Sequence, residues 1–146
     1  MKYLGIDYGH KKVGFAESDE LGMLAFPMMI SHNDDNLMRD TLEIIKAMNF
    51  GAIVIGESLD LNGKPNKIVE EVKTFAKELE EKCKELKLNI GINFEKEWLT
   101  TVEARRQPEA KRDVDDSAAA LILQRYLDKI NPKKFESAED DDVQED

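Results

Sequence analysis

The sequence contains a single cysteine, Cys83, so no disulfide can form within these 146 residues. A reducing cytoplasm is therefore the compartment we expect. Long apolar runs are also missing, and runs such as Ala52–Ile55 are too short to cross a bilayer. The sequence opens directly on a strand-like segment, with no signal-peptide pattern. These features exclude a disulfide-stapled scaffold and favour one globular domain with no membrane partner.

Positive charge is scarce, because 21 Lys and Arg residues face 31 Asp and Glu residues and give a formal charge of −10. An acidic chain is not expected to bind nucleic-acid duplexes tightly and nonspecifically. Seven of the acids lie in residues 136–146, and setting these aside brings the charge from −10 to −3. The remaining bases include a group near the motifs described below: Lys11, Lys12, Arg105, Arg106, Lys111 and Arg112. A nucleic-acid partner is therefore compatible with the local charge distribution.

Hydrophobic periodicity predicts an α/β fold with the element order β-β-β-α-β-α-β-α. The predicted strands cover residues 2–7, 12–18, 21–29, 52–56 and 89–95, and the predicted helices cover about 34–48, 66–87 and 115–129. Short connections make the first three strands an antiparallel meander, and helical crossovers make the first, fourth and fifth strands parallel neighbours. The result is a five-stranded mixed sheet flanked by helices. We expect one domain at 1–130 and an acidic, disordered tail at 131–146.

The helix predictions make specific claims about side chains. Asn33 or Asp34 is expected to cap the first helix. In the second helix, the apolar residues recur at helical spacing and predict a buried stripe. That stripe consists of Val72, Phe75, Ala76, Leu79, Cys83 and Leu86.

Three carboxylates are the candidate functional residues, because ligands of parallel sheets gather beyond the carboxyl ends of the strands. Asp7 ends the first strand, Glu97 is expected just past the fifth, and Asp115 opens the last helix. Each also has an ordinary structural interpretation: a turn former, a surface acid and a residue of a first helical turn, where Asp116 competes with Asp115. Together they predict a site for Mg²⁺ or Mn²⁺, which prefer carboxylate oxygens. Such ions assist hydrolysis of phosphodiesters.

Residues flanking these acids are candidates for binding a substrate phosphate. Gly9 lets the turn after Asp7 bring its backbone close to a ligand, and Lys11 or Lys12 could contact it. Thr101 offers a hydroxyl, and Arg105 and Arg106 lie in a basic stretch between the other two acids. The alternatives are an ordinary hairpin turn for the first group and a solvated loop for the second.

Several segments resemble the YqgF/RuvX family of Holliday junction resolvases, also described as nucleases that mature the 5′ end of the 16S ribosomal RNA precursor. The similar segments are GIDYGHKKVGFAESD, IVIG with its downstream NG turn, EWLTTVEAR and VDDSAAALILQRYLD, and they span about residues 2–128. The resemblance implies a ribonuclease-H-like fold and a divalent-metal-dependent endonuclease acting on structured RNA or branched DNA. It also implies that Asp7, Glu97 and Asp115 form the acidic triad.

The chain departs from the family pattern at three places. Trp98 stands where the family has an arginine, Glu57 and Ser58 stand where a proline is usual, and the segment from Arg105 to Asp115 is short. These departures favour a second hypothesis, a catalytically weak relative that docks on nucleic acid or protein. A third, a phosphotransferase of the actin and sugar-kinase type, requires two domains where this sequence has one. Oligomeric state, monomer or homodimer, is open at this stage.

Overall fold

The computed structural model describes residues 1–59, 67–98 and 117–132, and for residues 58, 59, 67, 97 and 98 it describes the backbone only. These ranges contain five strands and three helices in the predicted order. The strands are β1 (Tyr3–Tyr8), β2 (Lys12–Ser18), β3 (Ala25–His32), β4 (Ala52–Leu59) and β5 (Gly91–Trp98). The helices are α1 (Leu37–Met48), α2 (Lys67–Glu85) and α3 (Ala118–Ile130).

The strands form one mixed sheet in the order β3-β2-β1-β4-β5. β2 pairs antiparallel with β1 and β3, whereas β4 pairs parallel with β1 and β5. Both the antiparallel meander and the parallel neighbours predicted from the sequence are therefore confirmed. Since β1, β4 and β5 run in the same direction, their carboxyl ends meet at one edge of the sheet.

Alternation along β1 separates two apolar cores on the two faces of the sheet. Leu4 and Ile6 face the layer formed by α1 and α2, where they pack with residues such as Phe75 and Leu79. The opposite face is covered by α3. Its buried residues are Ala16, Val54, Ala119, Ile122, Leu123 and Leu127.

Glycines on three adjacent strands allow α3 to approach the sheet closely. A Cβ atom added at Gly5 would lie 2.8 Å from Leu123 Cβ, and one added at Gly56 would lie 2.5 Å from Ile122 Cδ1. At Gly14 the same atom would meet Ala119 Cβ at 3.6 Å, an ordinary contact. The backbone of α3 therefore packs against β1 and β4 at distances that most side chains would prevent.

The third strand was predicted at 21–29 and lies instead at Ala25–His32. The residues between β2 and β3 form a turn. In this turn the Asp19 carboxylate accepts hydrogen bonds from the N–H groups of Met23 and Leu24, at 2.8 and 3.2 Å. The bond from Met23 is the main reason that the pKa of Asp19 lies below its ordinary value. Gly22 completes the turn with a φ of 70°. A side chain-to-backbone turn thus replaced the first residues of the predicted strand.

The predicted caps of α1 were wrong. The helix begins at Leu37, and its N-cap is Asn36, whose side chain makes no capping hydrogen bond. Asp34 Oδ1 instead accepts the N–H of Asn36 at 2.9 Å and forms a local turn before the helix. The side chain of Asn33 points away from the helix and is discussed below.

The fourth and fifth strands are each longer at their carboxyl ends than predicted, because they pair with each other as far as Leu59 and Trp98. Glu97 therefore lies inside β5, opposite Ser58, rather than just past the strand. Leu86, predicted to be buried, is 43% exposed and lies just past the end of α2 at Glu85.

The remaining predictions about domain organisation lie largely beyond the described ranges. Asn131 follows α3 and donates from Nδ2 to the carbonyl of Gly22 at 3.0 Å. From residue 133 onward the predicted acidic tail lies outside the described residues, so the tail stays a prediction. No helix among the described residues is both long and apolar enough to cross a membrane.

Candidate functional site

Asp7 lies near the carboxyl end of β1, at the edge where the parallel strands end. Its backbone is held in the sheet opposite Gly14 of β2. The side chain is partly buried, and no hydrogen bond or ion pair links it to another of the described residues. Burial raises the pKa of the Asp7 carboxyl above its usual value, because desolvation penalises the charged form. A cation beside this group would offset that penalty.

The first turn of α3 lies beside Asp7. A Cβ atom added at Gly14 would contact both Asp7 Cβ, at 3.8 Å, and Ala119 Cβ, at 3.6 Å. Ser117 caps the helix by accepting the N–H of Ala120 at 3.1 Å. The amino-terminal end of a helix carries a partial positive charge, which favours anions nearby. Packing of α3 on the glycines thus sets its first turn and Asp7 on the same side of Gly14.

The turn joining β1 to β2 follows directly and contains three of the predicted substrate-binding residues. A Cβ atom at Gly9 would lie 2.6 Å from the carbonyl oxygen of Lys12, so the turn needs a glycine here for steric reasons. Lys11 and Lys12 are exposed. Asn33 Nδ2 donates to the carbonyl oxygen of Gly9 at 2.7 Å. Gly9 and the exposed Lys11 and Lys12 therefore lie on the turn that directly follows the strand of Asp7.

The other predicted site residues are described only in part. The backbone of Glu97 lies in β5, two residues after Glu95, while its side chain is not described. Asp115 lies outside the described ranges, as do Thr101, Arg105 and Arg106. Within residues 1–59, 67–98 and 117–132, no three His, Cys, Asp or Glu side chains come together as a metal site. The assignment of the triad therefore stays a prediction.

Glu95 is a buried carboxylate that sequence reasoning missed. Its side chain is 5% exposed and binds Lys129 Nζ at 2.6 Å, whereas Lys129 itself is 64% exposed. The negative charge adds to burial in raising the pKa of the nearby Tyr126 hydroxyl. In the sequence, Glu95 is only the last residue of the predicted fifth strand, and no partner is indicated for it; in the structure α3 covers this face of β5 and supplies the partner. Nothing in the sequence indicates that an acid in β5 and a base near the end of α3 form an ion pair.

Comparison with known proteins finds relatives that cover most of this chain. Residues 1–129 match the RuvX family, described as Holliday junction resolvase. A protein of Lactobacillus acidophilus is 33% identical over 142 residues, covering 88% of this chain and 96% of its own. A protein of Syntrophus aciditrophicus is 36% identical over 147 residues, covering 94% of this chain and 95% of its own. Both relatives bear the name "Putative pre-16S rRNA nuclease".

Two solved structures share the fold. Thermus thermophilus RuvC in complex with Holliday junction substrate aligns with a TM-score of 0.55 at 12% identity, covering 89% of this chain and 96% of that one. A second Thermus thermophilus RuvC structure aligns with a TM-score of 0.52 at 11% identity, covering 90% and 97%. At this identity the similarity shows the fold alone, and it confirms the ribonuclease-H-like sheet expected from the sequence.

Proposed function

We propose that this chain, which belongs to the RuvX family of Holliday junction resolvases, is a divalent-metal-dependent endonuclease that hydrolyses nucleic-acid phosphodiesters. The observation that carries the proposal is the carboxylate of Asp7. It is partly buried at the carboxyl edge of the parallel strands, has a raised pKa and has no partner among the described side chains. A buried acid is costly unless something pairs with it. A cation and a substrate at this edge would supply that pairing.

The donors proposed for the ion are Asp7, Glu97 and Asp115. Carboxylate oxygens are the ligands that Mg²⁺ and Mn²⁺ prefer, so the chemistry of this set fits a hard divalent cation. The backbone of Glu97 lies near the carboxyl end of β5, at the edge of the sheet where β1 and β4 also end. Asp115 precedes Ser117, the cap of α3, by two residues. A divalent ion bound by these groups would activate a water and stabilise the leaving oxygen.

The substrate contacts proposed for this chain come from two segments. Lys11 and Lys12 are exposed on the turn after Asp7, and Gly9 keeps that turn tight. Lysine ammonium groups there would bind backbone phosphate and so hold the substrate at this edge of the sheet. From the second segment, Thr101, Arg105 and Arg106 are proposed to contact the same substrate.

The substrate that we favour is the precursor of 16S rRNA, cut at its 5′ end during ribosome biogenesis. This choice follows the names of the relatives at 33% and 36% identity. A four-way DNA junction is the second candidate, because the family is described as a resolvase and the chain shares the RuvC fold. An RNA substrate of this kind would place the enzyme in the cytoplasm. Two-fold junctions would favour a homodimer, and an RNA leader is compatible with a monomer.

The test is cleavage of a precursor rRNA leader and of a four-way junction with Mn²⁺ or Mg²⁺. Wild-type protein is expected to cut at least one of them, and Asp7→Asn is expected to abolish the cut because a neutral amide binds the ion poorly. Asp35→Asn is the matched control, since Asp35 is exposed and makes no side-chain hydrogen bond or ion pair with the described residues. Activity that survives in Asp7→Asn would refute the assignment of this residue.

A second candidate is a catalytically weak relative that binds nucleic acid without cutting it. The tryptophan at position 98, where the family has an arginine, and the formal charge of −10 favour it. Binding measured by fluorescence anisotropy beside cleavage separates the two. RNA or junction binding with no cleavage under either divalent metal would favour the binding protein and contradict the nuclease.

A further inference from the structure

We propose that Asn33 is a positioning residue that holds the Tyr8–Lys12 turn in place for substrate, a role that rests on the nuclease function proposed above. Asn33 lies between β3 and α1 and is 24 residues away from Gly9 along the chain. Among the described residues, no hydrogen bond links its side chain to Asp7. It would act through the turn, by fixing where the turn can place its two lysines.

Two hydrogen bonds from this one residue hold the turn at two points. The side-chain Nδ2 of Asn33 donates to the carbonyl oxygen of Gly9 at 2.7 Å, in a partly buried position. Its backbone N–H donates to the carbonyl oxygen of Lys11 at 2.9 Å. Substitution by alanine or aspartate removes the side-chain bond and keeps the backbone donor. Since Gly9 and Lys11 bracket the tip of the turn, the pair fixes its path.

The residue type at this position is explained by the turn and not by the helix that follows. Asn36 is the N-cap of α1, and Asp34 forms the local turn before it, so neither task falls to Asn33. An amide places an N–H donor where a carboxylate of the same shape would place a second oxygen against the Gly9 carbonyl. Asparagine therefore satisfies this contact and aspartate would oppose it.

Loss of this bond should affect the turn and spare Asp7. The backbone of Asp7 is held by pairing with Gly14 in the sheet, independently of Asn33. Lys11 and Lys12 extend from the turn itself, so their average position depends on how well the turn is ordered. Because lysine-phosphate contacts bind substrate, we expect the substitution to raise KM and to leave kcat nearly unchanged.

The test compares Asn33→Ala and Asn33→Asp with Asn36→Ala and Asn36→Asp, using whichever substrate the wild-type chain cleaves. Asn33→Ala is expected to raise KM about fivefold, the effect of one lost neutral hydrogen bond, and Asn33→Asp is expected to raise it further. The Asn36 variants make the same changes of size and charge three residues away and should leave KM within about twofold of wild type. An unchanged KM for both Asn33 variants would overturn the proposal.

A double-mutant cycle separates positioning from loss of stability. If Asn33 acts through the lysines, its substitution should have little further effect on KM in a chain that already carries Lys11→Ala and Lys12→Ala. Two results would mean a merely structural role and overturn the proposal. One is that the effects of the Asn33 and lysine substitutions on KM are fully additive, and the other is that only kcat falls, in proportion to the folded protein lost in thermal denaturation. If the wild-type chain cuts no substrate, the nuclease proposal fails first, and the inference fails with it. If it cuts and the Asn33 variants behave as wild type, the inference alone fails.

Discussion

Replacing Gly5 by alanine tests whether close packing of α3 on the sheet shapes this domain. The new Cβ atom would lie 2.8 Å from Leu123 Cβ and 3.1 Å from the backbone oxygen of Ala119. Leu123 and Ala119 are buried, at 0% and 1% exposure, so neither can swing aside. Ordinary contact begins at 3.4 Å, and the helix would therefore have to move away from β1 by about half an ångström.

The expected cost follows from two opposing effects. Overpacking a buried contact destabilises a protein by about 1–3 kcal/mol. Replacing glycine by alanine also restricts the unfolded chain, which returns about 0.4–1 kcal/mol. The net change for Gly5→Ala should be a loss of about 1–2 kcal/mol, which lowers Tm by roughly 2–8 °C in a domain of this size.

Gly14→Ala is the matched control on the neighbouring strand. Its added Cβ atom would meet Ala119 Cβ at 3.6 Å and Asp7 Cβ at 3.8 Å, and both are ordinary contacts. This variant should keep wild-type stability or gain up to about 1 kcal/mol. Urea and thermal denaturation followed by circular dichroism measure both variants. If Gly5→Ala were as stable as Gly14→Ala, the argument from helix-to-sheet distance would be refuted.

Two further predictions concern buried charge. Lys129→Met should destabilise the fold by about 1–3 kcal/mol, because Glu95 would keep a buried negative charge without its partner, and Glu95→Gln combined with Lys129→Met should recover much of that loss in urea titrations; no recovery would contradict the pairing argument. The second prediction concerns Asp7, whose pKa is raised in the folded protein. The protonated carboxyl therefore favours the folded state, and this stabilisation is fully present below the unfolded pKa and is lost as pH rises through the folded pKa. Without divalent metal, the Tm of Asp7→Asn relative to wild type should thus be lowest below the ordinary carboxyl pKa of 3.8, rise with pH and level off above the folded pKa; a difference that does not change with pH would refute it.

Much of the architecture could be predicted because it depends on local pattern. Alternation and helical spacing identified every described strand and helix, and the connection lengths gave the antiparallel meander and the parallel crossovers. Element ends were less predictable, because they depend on competing contacts. The Asp19 carboxylate accepts the N–H groups of Met23 and Leu24, so β3 begins later than predicted. Pairing with β4 extends β5 beyond Glu97.

In the candidate site, too, features that depend on local pattern could be predicted and features that depend on distant contacts could not. Asp7 could be proposed from its place near the end of an apolar strand, and its partial burial and raised pKa support that proposal. The roles of Glu95 and Asn33 could not be predicted, since each depends on a partner 34 or 24 residues away along the chain. Nothing in the local sequence of either residue indicates that distant partner.

The glycines near the first strands show why a motif and its physical role can differ. Of Gly5, Gly9 and Gly14, only Gly9 was predicted to bring its backbone close to a phosphate. The structure divides them between two tasks: Gly9 permits a tight turn, whereas Gly5 and Gly14 lie under α3. The packing that buries the second core therefore also brings the first turn of α3 beside Asp7. A substitution that relaxes this packing should consequently weaken both the stability of the fold and any function that depends on Asp7.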